Sequence, residues 1–288
     1  MSESSLIFEA RGLDYKYPTG ETALNDISLT IARGEKVAIV GANGSGKSTL
    51  LKLFDGLYFP IRGELLAFGR SMTEDTMSEE SFAFSFRRRV GFVFQDPDVQ
   101  LFAPTVWDEV AFAPLHLGLS KSEIRGRVEA TLQLLRIEKL AERPPHQLSG
   151  GEKKRVALAS VLVLDPEVLL LDEPTASLDP RSQSQLIDLI MEMHERGKTI
   201  ISATHDLHIL KEVADYVFVM DETNRLRTEG RPEDVLADEA LLLATNLVHQ
   251  HRHRHADRDH IHPHRHLPVH EHEHHANADQ ALDPLTRK

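Results

Sequence analysis

Nine residues constrain this chain more tightly than any other stretch: Gly41-Ala42-Asn43-Gly44-Ser45-Gly46-Lys47-Ser48-Thr49. The apolar run Val37-Ala38-Ile39-Val40 precedes them, and Leu50-Leu51-Lys52-Leu53-Phe54 follows. The order is strand, glycine-rich loop, helix, and it fits the phosphate-binding pattern G-x-x-x-x-G-K-[ST] at every required position. Glycines let the backbone turn tightly and aim successive N–H groups inward. The helix that follows begins with unpaired N–H donors and a partial positive charge. Lys47 adds a full positive charge for the outer phosphates, and Ser48 offers a hydroxyl to Mg2+. A flexible turn that merely contained Gly and Lys would not need a strand and a helix at its two ends.

Composition narrows the class. The chain has 288 residues, 41% hydrophobic and 27% charged, which allows one or two globular domains with a substantial core. It has no cysteine, so neither disulfides nor thiolate metal sites are available, consistent with a reducing compartment. The formal net charge of -12 disfavours non-specific binding to nucleic acid, and no nucleic-acid partner is expected. Met1-Ser2-Glu3-Ser4-Ser5 is polar and acidic and carries no secretory pattern. The longest apolar run, Val156 to Leu164, is stopped by Asp165-Pro166, well short of the ~20 residues that span a bilayer.

Along the chain, Leu13 to Tyr17 and Ile27 to Ile31 alternate as short strands, and Val37 to Val40 reads as a buried one. Glu64 to Phe68 reads as a further strand, and Ser71 to Glu80 as a polar surface stretch. Phe82, Phe84 and Phe86 with Arg87-Arg88-Arg89 fit a helix end that packs its rings inward, ahead of strand Val90 to Phe94. From Val106 to Leu140 the apolar spacing is helical, through Val110, Ala113, Leu117, Ile124, Val128, Leu132 and Leu135. Gly150 to Leu164 and Arg181 to Glu195 are helical as well. Val168 to Leu171, Thr199 to Ala203, Asp215 to Met220 and Leu226 to Glu229 are strands, and Glu233 to Val248 closes in short helices. Strands that alternate with helices predict an α/β core with a mainly parallel sheet.

Two more stretches carry chemistry. Val168 to Asp172 is an apolar strand that ends in a carboxylate, with Glu173 directly after it. Asp172 is placed to hold Mg2+, directly or through water, and Glu173 to polarise a water against a γ-phosphate. A solvated acidic pair at a strand end is the plainer alternative, weakened by the phosphate loop upstream. In Leu148-Ser149-Gly150-Gly151-Glu152, two glycines open a helix, leaving N–H groups free beside a hydroxyl.

Taken in order, these stretches resemble the ATP-binding cassette (ABC) ATPases. Gly41 to Thr49 matches the Walker A motif and Leu169 to Pro174 matches Walker B. Leu148 to Glu152 matches the family signature, with Glu152 where many members have Gln. Gln95 matches the Q-loop, Ala176-Ser177-Leu178-Asp179 the D-loop, and Thr204-His205-Asp206 the switch-histidine loop. The resemblance implies a P-loop NTPase α/β core with an N-terminal antiparallel β subdomain and a helical subdomain. It places the ABC ATPase domain over residues 5–248, the helical subdomain at about 96–165, and a separate tail at 249–288. By the same resemblance Lys47 contacts the outer phosphates of ATP, and Ser48, Gln95 and Asp172 hold Mg2+. Glu173 is the general base, His205 senses the γ-phosphate, and Tyr17 stacks on adenine. Asn43, Gly44, Ser45, Gly46 and Thr49 complete the nucleotide loop that begins at Gly41. Ser149, Gly150 and Gly151, with Asp179, face ATP held by a second ABC ATPase subunit, which implies a homodimer or a pair with a similar subunit. His116, His146, His194 and His208 read as surface or packing residues.

The chain holds neither a long coiled-coil insertion nor a second cassette, which favours a transport motor over the nucleic-acid and translation branches. Gln95 to Phe102 with Thr105 to Phe112 resembles the ATPases of energy-coupling factor importers, which take up vitamins and transition metals. Their partners are a transmembrane coupling subunit and a substrate-binding membrane subunit, and they work as peripheral proteins at the cytoplasmic face of the membrane. Phe102, Trp107 and Phe112 are candidates for the apolar floor of the groove that receives the coupling subunit, with core packing as the alternative. The tail carries His249, His251, His253, His255, His260, His262, His264, His266, His270, His272, His274 and His275. It has few apolar residues, which predicts disorder, and many imidazoles, which suit Ni2+ or Co2+. A cobalt or nickel importer ATPase is therefore expected, with a vitamin or zinc importer as the alternative, a metal-sequestering protein without transport activity as a further class that the intact hydrolytic set argues against, and a solvating tail as the plain reading of the histidines.

Overall fold

The structure is a computed structural model that describes residues 6–255 and 258–264, the latter part from 249 onward by its backbone alone. The chain opens with β1 (Leu6–Lys16), β2 (Thr22–Ala32) and β3 (Lys36–Val40), and the glycine loop leads into α1 (Lys47–Phe54). β4 (Arg62–Ala67), β5 (Arg70–Ser71), α2 (Glu74–Ser78), α3 (Glu80–Arg89) and β6 (Val90–Val93) follow. A helical stretch comes next: α4 (Pro97–Gln100), α5 (Val106–His116), α6 (Lys121–Leu134) and α7 (Gly150–Leu162). The chain then alternates through β7 (Val168–Asp172), α8 (Pro180–Glu195), β8 (Thr199–Thr204), α9 (Leu210–Val213) and β9 (Tyr216–Met220). It continues with β10 (Leu226–Gly230), α10 (Pro232–Ala237) and α11 (Glu239–Ala244).

The strands form two main sheets. One is antiparallel in the order β2-β1-β4-β5, and the other runs β10-β9-β3-β8-β7-β6. In the second sheet β6, β7, β8, β3 and β9 are mutually parallel, and β10 is an antiparallel edge. The inner strands β3, β7 and β8 are buried along their whole length. This accounts for their near-continuous apolar sequence, since helices cover both faces. Phe8, Leu24, Leu50, Phe54 and Leu170 belong to the core that joins the antiparallel sheet to α1 and the parallel sheet. Val110, Val128, Leu132, Val156 and Leu171 belong to a second core, beneath α5, α6 and α7. Val40, Leu210, Val217, Leu236 and Leu242 form a third, under α9, α10 and α11.

Several elements differ from the sequence pattern. The first two strands are longer than their clean alternation, because they pair with each other through Phe8↔Ile31 and Ala10↔Leu29. The polar stretch Ser71 to Glu80 contains α2, which buries no residue and is held by a capping box from Thr73 to Thr76. The helical pattern from Val106 to Leu140 is two helices. Gly118 takes a left-handed conformation after α5, and Ser120 starts α6 with a capping box to Glu123. In α3, Phe86 is buried and Phe82 half-buried, but Phe84 is exposed because its position turns away from the core. No helix among the described residues is long and apolar enough to cross a membrane.

The tail also departs from expectation in part. His249–His255 and Arg258–His264 pair as antiparallel strands β11 and β12, with His249↔His264, His251↔His262 and His253↔His260 in register. A histidine at every second position has the period of a strand, and two such strands satisfy each other's backbone without a core. His266, His270, His272, His274 and His275 lie outside the described residues.

Candidate functional site

The carboxyl ends of β3, β6, β7 and β8 open on one side of the parallel sheet, as expected for ligand sites in such sheets. Register ties them together. Val40 pairs with Thr204 and Asp172 with Ala203, so the glycine loop, Glu173 and His205 emerge side by side.

In the loop after β3 the glycines are required by space. A Cβ on Gly46, which has φ +100°, would lie 2.2 Å from the Ala23 carbonyl oxygen. One on Gly41 would lie 2.5 Å from Ser45 Oγ and 2.8 Å from the Met220 carbonyl. Gly44 also has positive φ, and Asn43 beside it is exposed. Lys47 is buried and donates to the carbonyls of Gly41 (2.8 Å) and Ala42 (3.2 Å), folding its ammonium back over the loop. Burial lowers its pKa, and the charges of Glu173 and Asp172 oppose that shift. Ser45 Oγ is buried with no hydrogen-bond partner among the described residues. An orphaned hydroxyl, a buried ammonium and the open N-terminus of α1 in one loop suit a phosphate chain.

Ser48 Oγ donates to Asp172 Oδ1 at 2.9 Å. Burial pushes the Asp172 carboxyl up, while the Ser48 hydrogen bond draws it back. A hydroxyl and a carboxylate at this distance form an oxygen donor pair of the kind Mg2+ takes.

Glu173 is buried and has φ +44°, an uncommon backbone state for a residue with a side chain. Its surroundings over-determine that state. Its N–H donates to Ala203 O at 2.9 Å, and its carbonyl accepts from Ala176 N at 3.1 Å and from Lys154 Nζ at 3.1 Å. Its Oε1 lies 2.8 Å from His205 Nδ1 and 3.6 Å from Lys47 Nζ. A bond from imidazole to an ionised carboxylate puts the proton on Nδ1, which leaves Nε2 for a ligand.

Asn43, Gln95, Glu173 and His205 line one open cleft of about 740 Å3. The exposed Gln95 gives its backbone carbonyl to Lys154 Nζ at 2.7 Å. Tyr17 stands at the other side of the loop. Its hydroxyl is 2.7 Å from Thr49 Oγ1, and its ring meets Tyr15 and Tyr58 edge-on. The remaining sequence candidates do not join this cleft. Ser149 caps α7 through a reciprocal pair with Glu152, and Gly150 beside it is exposed. Asp179 caps α8, accepting from the backbone of Arg181 and Ser182. Gly151 and Ser182 line a separate cavity beside Lys154.

Three residues missed in the sequence tie neighbouring segments together. Lys154 links α7 to Gln95 and Glu173. Gln100 accepts from Phe94 N (3.1 Å) and donates to Ala157 O (2.8 Å) and Ser160 Oγ (3.1 Å). Glu109 is buried and accepts from the N–H groups of Phe102 and Ala103, both at 2.8 Å. The signal available for two of them was a charge within the apolar pattern of a helix, Lys154 before Val156 and Glu109 beside Val110. Phe102 and Phe112 are exposed and meet edge-to-face at 4.8 Å, with exposed Val99 and Leu115 in the same segment. Trp107, expected alongside them, is half-buried against the core instead.

The ABC transporter family model matches residues 24–176. The chain is 51% identical over 244 residues to the nickel import ATP-binding protein NikO of Rhodobacter capsulatus, covering 84% of this chain and 95% of that protein. It is 42% identical over 241 residues to the energy-coupling factor transporter ATP-binding protein EcfA of Methanococcus maripaludis, covering 84% and 85% of the two chains. The solved structure of cbiO1 from Clostridium perfringens, described as part of the ABC transporter complex cbiONQ, superposes with a TM-score of 0.72. It shares 42% identity, over 85% of this chain and 96% of that one. With the phosphate loop, the strand-end carboxylates and the histidine in their places, the chain belongs to the ABC transporter family, as an ATP-hydrolysing subunit.

Proposed function

We propose that this chain drives an energy-coupling factor type importer of nickel or cobalt ions, docked on the inner side of the membrane. The observation that carries the reading is the 51% identity to a nickel import ATPase along 95% of that protein. The exposed ring pair Phe102 and Phe112, with exposed Val99 and Leu115 in the same segment of the chain that follows Gln95, supports it as the seat of a transmembrane coupling subunit. Exposed apolar groups clustered in this way mark protein contact sites.

In this reading the chain works in pairs. The phosphate loop, Glu173 and His205 share one side of the cassette, while Ser149, Gly150, Gly151 and Asp179 are presented elsewhere. A second copy, turned head to tail, brings its Ser149 to Gly151 over the nucleotide held by the first. ATP lies with its phosphates along Gly41 to Thr49, and Tyr17 takes the adenine. Lys47 exchanges the Gly41 and Ala42 carbonyls for phosphate oxygens. Ser48 and Asp172, with the side chain of Gln95, would hold Mg2+, which supplies neutralising charge to those oxygens. Glu173 accepts a proton from water as the water oxygen attacks the γ-phosphorus and ADP leaves. His205 holds the Glu173 carboxylate through Nδ1 and reaches the γ-phosphate through Nε2.

The His-rich tail is proposed to bind Ni2+ or Co2+ beside the transport path, through neutral imidazoles. Reconstitution of the full chain with its membrane partners into vesicles tests the importer reading. ATP-dependent accumulation of nickel or cobalt is the expected result. Uptake of neither ion, with ATP hydrolysis intact, would refute the cargo.

A further inference from the structure

We propose that Lys154 is a positioning residue that makes the conformation of Glu173 depend on the placement of the Q-loop and the signature helix. The inference rests on the reading of Glu173 as the general base.

Lys154 lies in the second turn of α7, one turn after the exposed Ser149 and Gly150. It is 5% exposed, so its ammonium has left solvent and must find partners within the protein. It finds two backbone carbonyls from separate parts of the site: Gln95 O at 2.7 Å and Glu173 O at 3.1 Å. Asp172, Glu173 and Asp96 supply the surrounding negative charge. One side chain thus connects the helix that carries the signature, the loop that carries Gln95, and the backbone of the proposed base.

The contact matters because of what it holds. Glu173 has φ +44°, a state that persists only where neighbours enforce it. Ala203 and Ala176 enforce it from the strand layer and from the following turn. Lys154 is the enforcing group that belongs to the helical part of the molecule. If α7 or the Q-loop shifts, Nζ cannot keep both carbonyls, and the Glu173 side chain loses part of its restraint. Two further ties join the same helix to the same loop: Lys153 Nζ to Asp98 Oδ1 at 2.6 Å, and Gln100 to Ala157 O and Ser160. Loss of Lys154 therefore leaves α7 and the Q-loop attached and removes the link to Glu173.

The test is ATP hydrolysis by the full-length chain with Mg2+, measured for the wild type, Lys154→Met, Lys154→Arg, Glu173→Gln and the Lys154→Met/Glu173→Gln double variant. We expect Lys154→Met to lower kcat about 30-fold, the scale of a small misplacement of a reacting group, with KM for ATP within about twofold. Lys154→Arg, which keeps charge and donors, should recover at least about threefold of that loss. In single turnover, Lys154→Met should change the residual rate of Glu173→Gln by less than about twofold, because the two residues act through one group. The proposal is overturned by an unchanged kcat, by a rise in KM that matches the fall in kcat, by Arg performing no better than Met, or by an undiminished Lys154 effect in the Glu173→Gln background. Normal turnover by Glu173→Gln would instead remove the base assignment, an outcome read from that single variant alone.

Discussion

His205 Nδ1 lies 2.8 Å from Glu173 Oε1, and each residue directly follows one of two adjacent parallel strands. The carboxylate is buried and the imidazole is half open to the cleft. Hydrolysis should therefore fail differently when each is changed. Glu173→Gln is expected to lower kcat by about 10²–10⁴ while ATP still binds. His205→Ala is expected to lower kcat by about 10²-fold, through loss of one charge-stabilising donor. Steady-state kinetics with equilibrium ATP binding checks both, and a Glu173→Gln variant that turns over normally would remove that residue from the base role.

Gly46→Ala should damage the loop itself. Its added methyl would meet the Ala23 carbonyl at 2.2 Å, with the backbone at φ +100°. The strained backbone alone costs about 1–3 kcal/mol, so a lower Tm together with lost ATP binding is expected. Retention of wild-type ATP affinity would contradict the tight-turn account.

Asp55 gives the fold a pH dependence away from the cleft. It follows the last turn of α1, where the helix dipole disfavours negative charge. Burial raises its pKa from 3.8 to about 7, and Arg87 opposes the shift. Between those values the folded chain holds the extra proton, so the contribution of Asp55 to stability falls as pH rises from about 4 to about 7. Asp55→Asn should therefore have the higher Tm above about pH 7, with the difference shrinking toward about pH 4. A Tm difference that does not vary with pH would count against this assignment.

Glu109→Ala should separate coupling from hydrolysis. It leaves the Phe102 and Ala103 N–H groups without their carboxylate, a loss of about 1–3 kcal/mol in local order. ATP hydrolysis by the isolated chain is expected within about twofold of wild type. In vesicles with the membrane partners, transport should fall much further. Equal loss in the two assays would mean that Glu109 serves the cassette as a whole.

Removal of the residues after Val248 should spare hydrolysis and reduce Ni2+ and Co2+ binding measured by titration calorimetry. Unchanged metal binding would make the histidines a solvating tail.

The nucleotide loop and the strand-end residues were legible in the sequence because local spacing alone specifies them. A strand, two glycines and Lys47 announce the loop, and an apolar run that ends in Asp172-Glu173 announces the edge of the sheet. Lys154, Gln100 and Glu109 were not legible in that way. Apart from the Gln100–Ser160 contact, their partners are backbone carbonyls and N–H groups, which every residue possesses, so no pairing of charged side chains marks them. The break between α5 and α6 was hidden for another reason, since Leu117 and Leu119 continue the apolar pattern across the turn at Gly118. The paired strands at His249–His255 and Arg258–His264 were obscured by composition, because the scarcity of apolar residues pointed to disorder although the histidines recur at nearly every second position.

The pairing of Asp172 with Ala203 has a consequence for how this protein can change over time. The spacing between Glu173 and His205 is counted out along two main-chain ladders, one residue beyond each strand end. Exchange of Leu170 for another aliphatic residue leaves that count intact. Deletion of one residue from either strand displaces its end by about 3.3 Å and turns the following side chain to the opposite face. Lineages of this sequence should therefore accept substitution within β7 and β8 far more readily than any change in their length.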